Sequence, residues 1–272
     1  MKRLIEYIIT ERKGDTKRKE ELINYLKGKK YPDYLDTLED MLNDPKTRAL
    51  IEDGFGGNLG NTQLKFSEKV IPVRRLLPTQ EQIGMAESLR YGLEYPHKVK
   101  LYFSGKPIEI KHPIITFNSM YVIDGHHRWS EVLCFNPDAE VVCLNYDGDM
   151  SPLQMLKATQ GAIAASIGEI IKSRPKGANL YDCDKFDIEE YIDDKLTDEC
   201  VEEFIKQVEE LETREDVIQF IIDNVMELIH DYPPIKYAPA REEMPQTSKA
   251  GGVDDEESAL GRMKNDKVLK VK

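Results

Sequence analysis

The chain has 272 residues, of which 40% are hydrophobic and 32% charged, with a formal net charge of −12. That length holds one or two domains with a sizeable core. The acidic balance argues against a protein that grips long stretches of DNA, because phosphate-backbone binding needs clustered Lys and Arg. No run of about 18 uncharged apolar residues occurs, so no transmembrane helix is expected, and the charge-broken start Met1-Lys2-Arg3-Leu4-Ile5-Glu6 does not read as a signal peptide.

Residues 1–62 read as a helical N-terminal cap followed by a linker. Leu4, Ile5, Ile8 and Ile9, then Leu22, Ile23 and Leu26, then Leu35, Leu38, Met41 and Leu42 recur at helical spacing. The stretch Gly54–Thr62 carries four glycines. Such a loop can cradle phosphate, but no Lys-Ser/Thr pair follows as in a P-loop, and a flexible linker is the plainer reading.

A mixed α/β core is expected over 63–150. Glu68–Leu76 reads as a short strand and turn. Lys98–Phe103 alternates like a strand, and the β-branched and aromatic runs Ile108–Ile110, Ile114–Phe117, Tyr121–Ile123 and Val141–Leu144 follow. Asn118-Ser119 between two of these runs predicts a tight hairpin turn. From Pro152 to about Ser173 the period becomes helical, with Leu153, Leu156, Ile163, Ile167, Ile170 and Ile171 on one stripe. Two amphipathic helices are predicted over 197–211 and 214–230. Thr213 is placed to cap the second, with Asp216 at the capping-box position. The helical C-terminal region thus covers 151–235, and the fold class expected is α+β. Residues 236–272 are charged and poor in large apolar groups. They are expected to be extended or disordered, and residues 241–272 are a candidate segment for binding a protein partner. Cys134, Cys143, Cys183 and Cys200 form no CxxC pair and are expected to be reduced and buried.

The informative segment is Tyr121–Leu133, in which a hydrophobic strand runs into Asp124-Gly125-His126-His127-Arg128 and then into a helix. Gly125 permits a sharp turn. The helix start offers free N–H groups and the positive end of its dipole, an arrangement that binds phosphate. Arg128 adds a bidentate cationic donor, and His126 and His127 add donors or a transferable proton. Asp124 is placed to orient a histidine, hold a phosphate-bound Mg²⁺ or take a proton. The plainer alternative is a helix cap made by Asp124, with Arg128 paired to a carboxylate. Adjacent histidines diverge on a helix, so a two-histidine metal site is the weakest of the three. Trp129 and Tyr121 read as core before they read as base-stacking groups.

The Asp-Gly-His-His-Arg turn after a hydrophobic strand resembles the ParB/sulfiredoxin-like superfamily over roughly residues 68–150, and is most similar to its branch that includes free-serine kinases. The resemblance implies that Gly125, His126, His127 and Arg128 bind the phosphates of ATP or another nucleotide. It implies catalytic parts for Asp124 and His126, and Mg²⁺ on Asp124. It also implies a carboxylate base in the loop after the first strand, where Leu77-Pro78-Thr79-Gln80-Glu81 makes Glu81 the nearest choice. His126 occupies the place of sulfiredoxin's cysteine, so sulfinic-acid repair is not implied. No helix-turn-helix of the partition proteins is recognised. The function expected is a nucleotide-dependent phosphotransferase or NTPase. The alternatives are a non-catalytic assembly protein of a phage or mobile element and, third, a metal-dependent nuclease. The corresponding settings are the cytoplasm of a host cell, or the virion.

Overall fold

The computed structural model describes residues 66–110, 113–156, 158–159 and 177–241. The predicted N-terminal helices, the glycine-rich stretch 54–62, most of the helix expected over 152–173 and the tail from 242 onward lie outside them. The chain divides into two units. One comprises Ser67–Asn145 and Arg174–Glu243, and the other Met1–Phe66, Tyr146–Ser173 and Met244–Lys272. In the second unit residues 152–156 are helical, which agrees with the expected start of that segment.

The fold is α+β. A five-stranded sheet has the order β1-β5-β3-β4-β2, with β1 at Phe66–Pro72, β2 at Leu77–Pro78, β3 at Ile114–Phe117, β4 at Tyr121–Asp124 and β5 at Glu140–Tyr146. The predicted hairpin is present. β3 and β4 pair antiparallel, with Phe117 opposite Tyr121. Asn118 and Ser119 both have positive φ, at 53° and 54°, a conformation that short polar residues tolerate. The Asn145 side chain braces the turn by accepting from Ser119 N–H at 2.7 Å and Thr116 Oγ1 at 3.0 Å.

Six α-helices lie among the described residues of the first unit: α1 at Met85–Glu94, α2 at Pro96–Tyr102, α3 at His126–Phe135, α4 at Lys185–Lys195, α5 at Asp198–Gln207 and α6 at Arg214–Asp231. The segment expected to be a strand at 98–103 is helix α2. Pro96 sits in its first turn, where a missing N–H costs nothing. Its buried residues are Val99 and Tyr102, three apart, so packing follows the helical period and overrides the alternation of Lys98, Val99, Lys100 and Leu101. The run at Ile108–Ile110 contributes only a single bridge, Ile108 to Val141. The expected caps are in place: Thr213 and Asp216 form the capping box of α6. Asp184 and Asp187 do the same for α4, a helix the sequence pattern did not disclose.

Helix α3 lies between α1 and α6. It is the most buried helix, with Trp129, Val132, Leu133, Cys134 and Phe135 in one core that continues into Leu89, Leu93, Ile221 and Leu228. Trp129 is fully buried and donates from Nε1 to the Val73 carbonyl at 3.2 Å, as its core reading required. All four cysteines are buried and unbridged. At the α1–α3 contact, a side chain on Gly92 would overlap the Phe135 ring. Ser88 Oγ and Ser130 Oγ meet at 2.7 Å, both fully buried.

Candidate functional site

The site forms where two parallel strands end together. β2 pairs parallel with β4, Leu77 opposite Tyr121 and Pro78 opposite Val122. The loop 79–84 after β2 and the Asp124–Arg128 turn after β4 therefore leave the sheet at the same edge, the usual place for sites in parallel arrangements. A register irregularity between β3 and β4 leaves Ile123 without an opposite residue, since Thr116 faces Val122 and Ile115 faces Asp124. Such a bulge re-aims the residue that follows it, here Asp124.

Gly125 is the N-cap of α3, with φ 92° and ψ 28° in the left-handed region and no side chain capping the helix. A Cβ at this position would lie 2.8 Å from Arg128 Nη2 and 2.9 Å from Arg128 Nε. The Arg128 side chain thus folds back across the glycine, and its Nη2 donates to Asp124 Oδ2 at 3.0 Å. The conformation and the contact both require glycine.

The two histidines act as struts. His126 Nε2 accepts the Thr79 N–H at 3.1 Å, and His127 Nε2 accepts the Gly84 N–H at 3.1 Å. Each ring is therefore neutral with its proton on Nδ1. Burial, reinforced by His127, Arg241 and Arg128, pushes the pKa of His126 down to about 3. Burial with Arg241 and Arg128 lowers His127 to about 4, against a smaller upward pull from Asp124. With both Nε2 lone pairs engaged by backbone donors, the histidines tie the 79–84 loop to the turn. They do not present Nε2 to a metal or a substrate proton in this arrangement.

The structure thus brings Asp124, Gly125, His126, His127 and Arg128 together. It does not bring Glu81 in with its side chain, which is exposed; its backbone N–H donates to the Pro239 carbonyl at 2.9 Å. Its neighbour Gln80 is fully buried and does face the site, accepting at Oε1 from Arg241 Nη1 at 3.3 Å. Two charged groups were not found by sequence reasoning. Arg241 lies at the end of the segment that crosses the 79–84 loop, close enough for its charge to act on His126, His127, Asp124 and Glu87. Glu87, in the first turn of α1, has a buried Oε2 with no hydrogen-bond partner among the described residues. It packs so closely over Gly84 that a side chain there would overlap it. The 85-89-93 spacing of Met85, Leu89 and Leu93 would have signalled α1, a helix the sequence reading did not include, and hence Glu87. Arg241 had no such signal.

Among the described residues no three His, Cys, Asp or Glu side chains gather as a metal cluster, and no helix is long and apolar enough to cross a membrane. No protein-family model, no curated protein and no solved structure matches this chain.

Proposed function

We propose that this chain is a nucleotide-binding protein of ParB/sulfiredoxin-like type, in which the Asp124–Arg128 turn holds the phosphates of ATP or ADP for phosphoryl transfer or hydrolysis. The observation that carries the reading is the foot of α3. A left-handed glycine starts the helix without a capping side chain, and a guanidinium lies directly across that glycine. Helix-start N–H groups, the helix dipole and an arginine fork are what a phosphate group requires. Phosphoryl transfer is largely positioning and charge stabilisation, so a small set of fixed groups suffices.

In this reading His126 and His127 hold the 79–84 loop against the phosphate site, and the catalytic part first expected of His126 becomes one of positioning. Asp124 and Glu87 balance Arg128 and Arg241 in local charge. A polyphosphate would therefore bring uncompensated negative charge, which a Mg²⁺ held by Asp124 would offset. Of the two carboxylates in the 79–87 segment, Glu87 packs at Gly84 beside the turn, whereas Glu81 points to solvent and reaches an acceptor only from outside.

The test is a thermal-shift series with ATP, ADP, CTP and GTP, each with and without Mg²⁺. A ligand at a hundred times its Kd stabilises by about 2.7 kcal/mol. Arg128→Ala is expected to weaken the preferred nucleotide by about 1.5–3 kcal/mol, the worth of a charged hydrogen bond. The absence of a shift with every nucleotide overturns the proposal. A second reading, a non-catalytic assembly protein, is favoured by one feature: Arg128 already closes on Asp124 at 3.0 Å, so the turn is partly satisfied by itself. Nucleotide binding without turnover, together with loss of a protein partner on deleting 242–272, would favour that reading.

A further inference from the structure

The segment after α6 returns across the site. Ile235 N–H donates to the Pro78 carbonyl at 3.0 Å, and the Pro239 carbonyl accepts from Glu81 N–H at 2.9 Å. Arg241 N–H donates to Gln82 Oε1 at 3.2 Å, and Arg241 Nη1 donates to Gln80 Oε1 at 3.3 Å. Gln80 is itself braced, its amide donating to the Gln82 carbonyl. This fixed path delivers a guanidinium to the β2–α1 loop from 161 residues away.

The placement of that guanidinium is costly. Arg241 is partly buried, and among the described residues its only side-chain partner is the neutral Gln80 amide. Arg128, by contrast, spends its charge on Asp124 at close range. A guanidinium has five N–H donors, and a partly buried cation without a contacting anion carries a desolvation penalty. Burial accordingly lowers the pKa of Arg241 from its ordinary value, with Asp124 and Glu87 opposing it only through space.

We infer that Arg241 is the principal cationic contact for the ligand's phosphate group, clamped over the turn by residues 235–241, with Arg128 the secondary one. This rests on the phosphate-site reading above and extends it by assigning the main anion contact to the segment that follows the last helix.

The experiment uses the full chain with ADP and ATP as probes and isothermal titration as readout, on wild type, Arg128→Ala, Arg241→Gln and Arg241→Lys. Gln keeps a donor for Gln80 while removing the charge, and Lys keeps the charge. Arg241→Gln is expected to weaken ADP by about a hundredfold or more, exceeding the loss measured for Arg128→Ala, with Arg241→Lys recovering part of the loss. Binding by Arg241→Gln within about twofold of wild type, while Arg128→Ala is impaired, overturns the inference and leaves the phosphate site standing. Equal losses in the Gln and Lys variants mark a structural role and also overturn it. No binding of either nucleotide to wild type removes the underlying reading. Phenylglyoxal labelling of wild type, read by mass spectrometry, keeps the test open if Arg241→Gln fails to fold. ADP should protect Arg241, and undiminished labelling counts against the inference.

Discussion

Replacing Gly125 with alanine tests whether the turn is built as described, without reference to any ligand. Two costs are expected. The first is conformational: an L-residue at φ 92° leaves the favoured regions and costs about 1–2 kcal/mol. The second is steric. The new Cβ falls 2.8–3.1 Å from three guanidinium atoms of Arg128, so the arginine must move and its 3.0 Å bond to Asp124 is lost. That partly exposed pair is worth no more than about 1 kcal/mol. The sum is about 2 kcal/mol, or a Tm lower by roughly 4–8 °C for a chain of this size. Gly105 provides the control, since its φ is also positive, at 67°, but nothing lies within 4 Å of a Cβ there. Gly105→Ala carries the backbone cost alone. Differential scanning calorimetry of both variants isolates the arginine displacement as their difference. A Gly125→Ala variant no less stable than Gly105→Ala would refute the packing of Arg128 over the glycine.

Two further outcomes follow from the packing and the titration of the same region. Gly92→Ala should destabilise by about 1–3 kcal/mol, because its methyl group meets the Phe135 ring. Phe135→Leu in the same chain should recover part of that loss, and strict additivity in urea titrations would count against the contact. The histidines make stability depend on pH. Their folded pKa values, about 3 for His126 and about 4 for His127, lie below the unfolded value near 6.5. Between those limits the unfolded chain binds more protons, so the stabilisation is present above about pH 6.5 and is lost as pH falls. A loss of about 1–3 kcal/mol between pH 7.5 and 5.5 is expected from urea denaturation. His127→Gln, whose amide oxygen can still accept from Gly84, should roughly halve the slope. An unchanged slope would show that His127 is not the buried neutral strut.

The parts of this molecule that were legible in the sequence are those whose causes are local. Asn118-Ser119 announces a hairpin because its two short polar residues tolerate positive φ. Thr213 and Asp216 announce a helix start because a capping box needs only four consecutive residues. The Asp124–Arg128 turn is legible for the same reason. Helix α2 was misread because seven residues are too few to separate a period of two from one of 3.6 when lysines alternate with apolar groups. What remained hidden depends on partners far along the chain. The acceptors on His126 and His127 meet backbone donors 47 and 43 residues earlier. Nothing in the sequence marks Thr79 or Gly84 as their partners. Arg241 sits at the head of a charged tail, and only the crossing of Ile235–Arg241 over the β2–α1 loop brings it to His126, His127 and Asp124.

That distinction changes the chemistry assigned to the motif. A pentapeptide with two histidines and an arginine looks like a strongly basic, proton-transferring patch. Folding removes most of that character. Burial and the neighbouring arginines keep both rings neutral, and Arg128 meets Asp124, so the five residues together carry almost no net charge near pH 7. A turn neutralised in this way would attract phosphate only weakly, through helix-start N–H groups alone. In the proposed reading the positive charge that recruits phosphate comes mainly from Arg241, whose only side-chain hydrogen-bond partner among the described residues is the uncharged Gln80 amide. On that proposal the motif supplies the shape of the site, through Gly125 and the two histidine struts, and the returning segment would supply its field. Alanine at His126 or His127 would then mostly report on the integrity of the 79–84 loop, Arg128→Ala would show its own smaller loss of affinity, and the charge reversal Arg241→Glu should abolish ADP binding and leave the struts in place.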